Sequence, residues 1–337
     1  MRTVFLGAYG YGNLGDELCL IEALQAFPTS DAHAFSVNPS WTMRCVPDLA
    51  GCFPGGEEML ALNPARIVFG GGMFGVVDAF RYWMPYLARA MAAGAEIHLH
   101  NLGVARLASD QCWPDATARH VFANLASLSV RDPLSIQFLA EVGIAQLPRI
   151  TFFPEAKIAA DPALAESLVG PPREGGPKLL GISIIPSAKM RDCLRHDAHR
   201  VVAALAEFVS YTIVPIVSTI HVTSTEEDDM TGVIDFLQTF IPNAPIVAPL
   251  LLDRAFWLTN MTPRRLKGLI ARCDVMVTQR KHNAIHAIGA GVRVIGLHPL
   301  TDDSLRRTFT TLTNDLPPGS LCIGLDRETT SDRPAAT

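Results

Sequence analysis

Short apolar segments alternate with longer stretches of helical periodicity along the chain, and this alternation constrains the fold more than any other feature. Strands of a parallel sheet are buried on both faces, so they read as short apolar runs with the connecting helices between them. In the first half of the chain, helices are predicted at Val77–Ala92 and Leu134–Glu141. The predicted strands lie near Thr3–Leu6, His33–Val37, Arg66–Phe69, Glu96–Leu99, Ser127–Val130 and Ile150–Phe152. The pattern indicates an α/β domain with a parallel sheet.

The pattern is interrupted between residues 156 and 177, where Asp-Pro, Gly-Pro-Pro and Glu-Gly-Gly-Pro occur close together. Such turn-rich composition is typical of a linker. A second α/β segment follows, with predicted helices at Ala198–Val209, Thr231–Phe240 and Arg264–Ala271 and predicted strands at Leu179–Ile184, Thr212–Ser218, Ala244–Val247, Asp274–Thr278 and Arg293–Leu297. We therefore expect two similar domains facing each other across a cleft, residues 1–155 and 178–326, joined by the linker 156–177 and followed by a disordered tail, 327–337.

Composition and charge exclude several classes of protein. The chain has 337 residues, of which 49% are hydrophobic and 18% are charged, which is enough to bury a large core in two domains. Its formal net charge of -5 argues against broad electrostatic binding to nucleic acid or to an anionic membrane. A small anionic ligand in a local basic pocket fits this charge better than a polyanion does.

The cysteines indicate a reducing compartment. They are scattered and contain no C-x-x-C pair, so they predict neither a disulfide framework nor a zinc site: Cys19, Cys45, Cys52, Cys112, Cys193, Cys273 and Cys322. The N-terminal residues Arg2 to Leu6 lead directly into glycines and Asp16, without the apolar region of a signal peptide. No apolar run of about 18 residues is present to span a bilayer. We expect a cytoplasmic protein without a metal.

The most informative local segment runs from Gln279 to Ala287, where Arg280, Lys281 and His282 follow a short apolar strand. Ligands of open α/β sheets collect outside the carboxyl ends of the strands, and helix N-termini favour anions there. Arg280 can hold a carboxylate or phosphate with its planar fork, Lys281 can add a charge, and His282 can exchange a proton near neutral pH. The segment predicts an anion pocket with a proton donor. Alternatively, both cations are ordinary solvated residues and His282 caps the helix.

A glycine-rich segment, Gly7 to Glu17, follows the first predicted strand. It contains G-x-G-x-x-G at Gly10, Gly12 and Gly15, a spacing found in dinucleotide-binding loops. The second predicted strand ends without the acidic residue that would hold a ribose, which disfavours a nicotinamide or flavin cofactor. We interpret the segment as a close-approach loop in which Gly12, Gly15 and the side chains of Asn13 and Asp16 contact sugar hydroxyls. Asp16 can also cap the following helix, which is compatible with sugar binding.

Two further strand ends carry features of a binding site. Gly70-Gly71-Gly72 follows the strand Arg66–Phe69, and such glycines allow a ligand to approach the backbone, although a packing turn would use them equally well. In Ser129-Val130-Arg131-Asp132-Pro133-Leu134-Ser135, the strand ends at Arg131, and Asp132 is predicted to cap the next helix with proline at its first position. Arg131 is therefore expected to contact a ligand, or else to form a salt bridge with a neighbour.

These segments, taken in order, resemble the polysaccharide pyruvyl transferase family. The resemblance rests on Gly-Tyr-Gly-Asn-Leu-Gly-Asp-Glu near the N-terminus, the Gly-Gly-Gly turn, Ser-Val-Arg-Asp-Pro-x-Ser, and a late Arg-x-His followed by a helix and a Gly-Val-x-Val-Ile strand. It covers the chain from about residue 3 to about residue 300. It implies two Rossmann-like domains similar to GT-B glycosyltransferases, with phosphoenolpyruvate as donor substrate, no separate cofactor, and a sugar or lipid-linked oligosaccharide as acceptor.

The resemblance also assigns roles to individual residues. The family's Arg-x-His falls on Arg280 and His282, which are implied to bind phosphoenolpyruvate and to supply a general acid, and Arg131 adds a second donor contact. The N-terminal domain is assigned to the acceptor, with Gly71 and Gly72 beside the glycine-rich segment. Lys281 occupies a position that is usually apolar in the family, and Asn283 one where Ser or Ala is more usual, so the pose of the donor is left open.

The residues themselves support the same chemistry. Phosphoenolpyruvate carries a carboxylate and a phosphate, so it needs forked cations to hold both and an acid to protonate its methylene carbon. Arg280, Arg131 and Lys281 can supply the first, and His282 the second. Two other functions stay open: a GT-B-like glycosyltransferase with a nucleotide sugar donor, and a non-catalytic anion-binding protein of the same fold. Donor choice and turnover distinguish the three.

Overall fold

The computed structural model describes residues 1–71, 77–104, 114–144, 149–171, 175–302 and 304–326. Gly72 and the predicted disordered tail, 327–337, lie outside the described residues. The chain divides into two compact units, residues 1–158 (unit 1) and residues 159–337 (unit 2). None of the described helices is long and apolar enough to cross a bilayer.

Unit 1 contains a parallel sheet of seven described strands in the order β3-β2-β1-β4-β5-β6-β7. The strands are β1 (Arg2–Leu6), β2 (Asp31–Phe35), β3 (Gly51–Phe53), β4 (Arg66–Gly70), β5 (Glu96–Leu102), β6 (Ser127–Val130) and β7 (Arg149–Ile150). The helices are α1 (Leu14–Ala26), α2 (Pro39–Cys45), α3 (Gly56–Ala61), α4 (Val77–Ala92), α5 (Ala116–Ala123) and α6 (Pro133–Glu141), followed by a 3-10 helix at Pro154–Lys157. Val4, Phe69 and Leu99 belong to its buried core, as expected for strands covered on both faces.

Unit 2 begins with α7 (Ala163–Val169) and contains a parallel sheet of five described strands in the order β12-β11-β10-β8-β9. The strands are β8 (Leu179–Ser183), β9 (Thr212–Pro215), β10 (Val275–Thr278), β11 (Arg293–Pro299) and β12 (Leu321–Leu325). The helices are α8 (Ala188–His196), α9 (Ala198–Leu205), α10 (Asp229–Phe240), α11 (Arg254–Asn260), α12 (Pro263–Ala271), α13 (Lys281–Gly289) and α14 (Ser304–Thr311). The short apolar strands β8 and β10 are buried along their whole length.

Each sheet has a switch point, a pair of neighbouring strands from which the chain proceeds in opposite directions. In unit 1, β2 and β3 lie on one side of β1 while β4 to β7 lie on the other, so the switch point is between β1 and β4. In unit 2, β9 lies on one side of β8 while β10 to β12 lie on the other, so it is between β8 and β10. Open α/β sheets bind ligands in the crevice beyond the carboxyl ends of the strands at such points.

The fold differs from the sequence-based expectation at several elements. The predicted strand Ala244–Val247 is wrong: within it, only Ile246 forms an isolated bridge, to Ile213. The strands β3 and β12 were not predicted. β3 has only three residues and contains a glycine, so its pattern is too short to recognise. Part of the predicted linker 156–177 forms α7, which contacts α12 of the same unit.

Candidate functional site

The carboxyl end of β1 leads into a glycine loop, residues 7–13, at the switch point of unit 1. Gly10 and Gly12 have φ angles of +84° and +85°, which side-chain-bearing residues rarely adopt. On the other strand of the switch point, Gly71 has a φ angle of +79°, and Gly72 lies outside the described residues. The structure therefore brings the glycine loop and Gly71 to neighbouring strand ends, as the sequence predicted for a close-approach site.

Asn13, rather than Asp16, caps the helix that follows the glycine loop. α1 begins at Leu14, and the Asn13 side-chain oxygen accepts a hydrogen bond from the Gly15 N–H at 3.0 Å. This corrects the interpretation of Asp16 as the cap. Asp16 is half-buried in the first turn, where a carboxylate is favourable to the helix dipole.

Arg131 follows β6 and is almost completely buried, with 6% of its surface exposed. Its Nη1 atom is buried and has no hydrogen-bond partner among the described residues. The guanidinium carbon lies 5.9 Å from the centre of the Phe153 ring, within the range of a cation–π contact. The cap at Asp132 is confirmed, because its carboxylate accepts the Ser135 N–H at 2.9 Å. A buried guanidinium N–H group without an acceptor among the described residues is suited to an anionic or carbonyl ligand.

Glu155, which interacts electrostatically with Arg131, and its hydrogen-bond partner Asn101 were not found from the sequence. The Asn101 side chain donates a hydrogen bond to Glu155 Oε2 at 2.8 Å. Burial raises the pKa of Glu155, and the positive charge of Arg131 opposes that effect. Asn101 and Phe153 have φ angles of +51° and +40°. Backbone strain of this kind in non-glycine residues concentrates at functional sites. Neither residue was signalled by the sequence, because Asn101 lies beyond the predicted strand Glu96–Leu99 and Glu155 lies at the predicted domain border.

Arg280 lies at the switch point of unit 2, where each nitrogen of its guanidinium group donates a hydrogen bond to a carboxylate. Nε and Nη2 donate to Asp229 Oδ1 at 2.9 and 2.7 Å, and Nη1 donates to Glu227 Oε2 at 2.6 Å. The side chain of Asp229 is 0% exposed, while that of Glu227 is 41% exposed. Burial raises the pKa of Asp229, and the charge of Arg280 opposes that effect. The sequence placed Arg280 at the strand end correctly but gave no sign of either carboxylate.

A buried polar network extends from this ion pair to β8. Asp229 Oδ2 accepts hydrogen bonds from the Ser218 hydroxyl at 2.7 Å and from the Thr219 N–H at 3.1 Å. Asn283, which is fully buried, donates to the hydroxyls of Ser218 and Ser183 at 3.1 and 2.7 Å. Asn283 is thus a structural member of the site rather than a neutral departure from the family pattern. The network fixes the guanidinium of Arg280 relative to the two strands of the switch point.

Lys281 and His282 are the first two residues of α13 and are half-buried. Arg280 occupies the cap position, and its side chain makes no capping hydrogen bond, so the alternative in which His282 caps the helix is wrong. The N-terminus of α13 lies at a strand end and carries two basic residues, an arrangement that favours the binding of an anion. The same helix also carries His286, which is fully buried; burial and the charge of Lys267 lower its pKa to about 3.

A comparison with models of protein families shows to which family the chain belongs. The model of the family described as polysaccharide pyruvyl transferase matches residues 13–298, which include Asn13, Arg131 and the Arg280–His282 segment. The chain belongs to the polysaccharide pyruvyl transferase family. The resemblance inferred from the sequence is confirmed. No curated protein sequence matches this polysaccharide pyruvyl transferase family member significantly.

Solved structures similar to this polysaccharide pyruvyl transferase family member support the fold. The UDP-GlcNAc 2-epimerase of Methanocaldococcus jannaschii has a TM-score of 0.54 at 13% identity, covering 96% of this chain and 89% of that protein. A putative UDP-N-acetylglucosamine 2-epimerase of Listeria monocytogenes has a TM-score of 0.53 at 12% identity, covering 92% and 81%. The Neisseria meningitidis UDP-GlcNAc 2-epimerase, bound to UDP-GlcNAc, has a TM-score of 0.52 at 9% identity, covering 92% and 85%. The fold is thus GT-B-like, with Rossmann-like domains, as predicted.

Proposed function

We propose that this protein transfers the pyruvyl group of phosphoenolpyruvate to hydroxyl groups of a sugar residue and forms a pyruvate ketal, in exopolysaccharide or cell-wall glycan biosynthesis. The observation that carries the proposal is the family match over residues 13–298 together with the position of Arg280, Lys281 and His282 at a switch point. The acceptor is a free or lipid-linked oligosaccharide, and the reaction uses no organic cofactor. The cytoplasm is the proposed compartment, because scattered cysteines without a C-x-x-C pair suit reducing conditions.

In this proposal the donor binds at the N-terminus of α13. Its phosphate and carboxylate are attracted by the helix dipole, by Lys281 and by Arg280. Since the guanidinium of Arg280 is already engaged, one of its two carboxylate partners has to be displaced by the donor. Glu227 is that partner, because it is 41% exposed and can return to water, whereas the buried Asp229 would remain and keep the guanidinium oriented.

His282 is the proposed proton donor. It protonates the methylene carbon of phosphoenolpyruvate, which makes the adjacent carbon electrophilic, and one sugar hydroxyl adds there. The proton of that hydroxyl restores the charged form of His282. A second hydroxyl of the same sugar then replaces the phosphate, which leaves as hydrogen phosphate with the proton of the second hydroxyl, and the ketal closes. Arg131 contributes a further cationic contact in unit 1, where its buried Nη1 has no hydrogen-bond partner among the described residues.

The proposed acceptor site is the glycine loop with Gly71, where backbone can approach a sugar closely. Asp16 supplies carboxylate oxygen atoms suited to hydroxyl groups. Because the Asn13 side-chain oxygen caps α1, the group of Asn13 proposed to contact the sugar is its amide N–H. Asp16 carries the acceptor role most directly in this proposal.

Phosphate release from phosphoenolpyruvate, measured with a panel of glycan acceptors, tests the proposal. We expect release that depends on an acceptor with two neighbouring hydroxyls and a product that gains the mass of a pyruvyl ketal. Turnover of a nucleotide sugar with no use of phosphoenolpyruvate would instead identify a glycosyltransferase. Binding of phosphoenolpyruvate without turnover on any acceptor would favour an anion-binding protein.

A further inference from the structure

Glu17, in the first turn of α1, is a fully buried carboxyl group that connects two segments of unit 1. Its Oε1 atom accepts a hydrogen bond from the Gly10 N–H at 2.8 Å and another from the Thr42 hydroxyl at 3.2 Å. Gly10 lies in the glycine loop, and Thr42 lies on α2. A single carboxyl oxygen therefore joins the loop after β1 to the helix after β2.

The connection continues through the residues that follow β2. The Thr42 hydroxyl lies 2.8 Å from the Ser36 hydroxyl, which accepts the Asn38 N–H at 3.0 Å. The loop packs directly on this connection, since a Cβ atom added to Gly10 would lie 2.5 Å from the backbone nitrogen of Asn38. The shape of the glycine loop thus depends on a hydrogen-bonded chain in which Glu17 is the central member.

The surroundings of the Glu17 carboxyl group favour its neutral form. Oε1 accepts two hydrogen bonds, as a carbonyl oxygen does, while Oε2 is buried and has no hydrogen-bond partner among the described residues. An ionised carboxylate would leave a charged oxygen there without compensation, which is costly. Burial, opposed by the bonds from Gly10 and Thr42, raises the pKa of Glu17 to about 8.

We propose that Glu17 is a positioning residue of the acceptor site: its carboxyl group holds the glycine loop in the shape that receives the sugar. This inference rests on the proposed function for the identity of the ligand, but the coupling of Glu17 to the loop does not. Ionisation of Glu17 above pH 8 disturbs its bonds to Gly10 and Thr42, so the loop loses its anchored shape and the acceptor binds more weakly.

Other titratable groups coupled to Glu17 do not produce this pH dependence. Burial raises the pKa of Tyr9 well above its ordinary value, raises that of Cys45 strongly, and raises that of Cys52 to about 11. These groups stay neutral between pH 7 and pH 9.5. The charged neighbours on the surrounding elements are Asp16 on α1, which raises the pKa of Glu17, and Arg44 on α2, which faces Cys45.

The loop itself is tested in the full chain without substrates, by hydrogen exchange of peptides that cover residues 7–13, corrected for the intrinsic pH dependence of exchange. We expect protection in the wild type to fall with rising pH, by up to about tenfold per pH unit between about 4.5 and about 8, the pKa values of Glu17 in the opened and in the closed loop. Glu17→Gln keeps an oxygen acceptor but does not titrate, so its protection should stay constant with pH. Glu58→Gln, which changes an exposed carboxyl of the same unit, should behave as the wild type. Equal pH dependence in the wild type and Glu17→Gln overturns the inference.

Kinetics test the consequence for the acceptor. At saturating phosphoenolpyruvate, the acceptor KM of the wild type should rise about fivefold between pH 8 and pH 9, while that of Glu17→Gln stays within about twofold and the donor KM is unchanged in both. If no pyruvyl transfer is found but exchange follows the expected pattern, the proposed function fails and the positioning role of Glu17 is retained. If transfer occurs and the acceptor KM of the two proteins rises equally, the inference fails and the proposed function is retained.

A second variant guards against misfolding of Glu17→Gln. Thr42→Val removes only the hydroxyl that bonds Glu17, and Thr42→Ser restores it. We expect Thr42→Val to reduce the protection of residues 7–13 at pH 7 and to raise the acceptor KM, with recovery in Thr42→Ser. Unchanged loop protection and acceptor KM in Thr42→Val would show that this hydrogen-bonded chain does not position the loop.

Discussion

The two switch points have the same strand topology and different chemistry. In unit 2 the strand ends hold a buried ion pair, Arg280 with Asp229, extended by hydroxyls and an amide. In unit 1 the strand ends hold glycines supported by a carboxyl group, Glu17, whose surroundings favour the neutral form. The fold therefore supplies only the position of the site, while the residues at the strand ends decide whether it suits an anion or hydroxyl groups.

The largest effect is expected when the ion pair of unit 2 is broken. Arg280→Gln leaves Asp229 as a buried charge without its partner, so the free energy of unfolding should fall by about 3–5 kcal/mol. Arg254→Gln is the matched control: it removes a guanidinium that is 56% exposed and bonds the adjacent carboxylate, Asp228. The free energy of unfolding of Arg254→Gln should fall by less than about 1 kcal/mol. Denaturant unfolding of both variants measures the difference, and equal losses would mean that the two pairs are equivalent.

The next effect concerns turnover and separates the roles of the two units. His282→Gln keeps a hydrogen-bonding side chain but cannot deliver a proton, so kcat should fall by about 10²-fold or more with little change in donor affinity. His199→Gln, an exposed histidine on α9, serves as the control. Phosphate release at saturating substrates gives the comparison. Turnover of His282→Gln near the wild-type value would remove this residue from the chemistry.

The two units should respond to pH in opposite directions, because each buries a titratable group in its neutral form. Glu17 has a pKa of about 8 in the fold and about 4.5 in the unfolded chain, so the unfolded state binds fewer protons between these values. The contribution of Glu17 to the free energy of unfolding therefore falls by about 1.4 kcal/mol per pH unit as pH rises from about 4.5 to about 8.

His286 gives the reverse slope. Its pKa is about 3 in the fold against 6.5 for an ordinary histidine, so the unfolded state binds more protons between these values. The contribution of His286 to the free energy of unfolding falls by about 1.4 kcal/mol per pH unit as pH falls from about 6.5 to about 3. Hydrogen exchange measured separately on peptides of each unit tests both slopes. Glu17→Gln should flatten the slope of unit 1 only, and His286→Leu that of unit 2 only; a change in the other unit would break the comparison.

The smallest effect is expected at Glu227. If the donor displaces this carboxylate from Arg280, Glu227→Gln weakens the competitor and should increase the affinity for phosphoenolpyruvate by up to about fivefold, since a half-exposed ion pair contributes less than about 1 kcal/mol. Glu226→Gln changes an exposed neighbour of Glu227 in the 3-10 helix Thr225–Glu227 and should leave the affinity unchanged. Calorimetric titration measures both. Lower affinity in Glu227→Gln would assign Glu227 to the support of Arg280 rather than to competition with the donor.

Local patterns predicted the parts of the fold that local physics controls. Asp132 followed by proline gave the start of α6, and the apolar run before Gln279 gave β10, because capping and strand burial depend on neighbouring residues. The helix start at Asn13 was misassigned to Asp16 because both residue types cap helices well, and only the geometry of the Gly15 N–H distinguishes them.

The site was predicted only in part because its contacts are long-range. Arg280 could be placed from its strand end, but Asp229 and Glu227 are 51 and 53 positions away and stand in a segment without a recognisable motif. Glu17 was part of a quoted segment, yet its burial depends on Thr42, 25 positions later. The pairing of distant polar groups follows from tertiary packing, which periodicity and turn signals in the sequence do not report.

The edge strand β12 has a practical consequence for work with fragments. The family match ends at residue 298, within β11, whereas β12 pairs with β11 from Ile295 to Pro299 and is fastened by the Asp326 N–H, which donates to Asp197 at 2.7 Å. A fragment cut at the family boundary would expose a row of unpaired backbone groups on an apolar strand, the kind of edge that recruits strands from other molecules. Expression fragments should therefore extend through Asp326, and shorter ones are expected to precipitate.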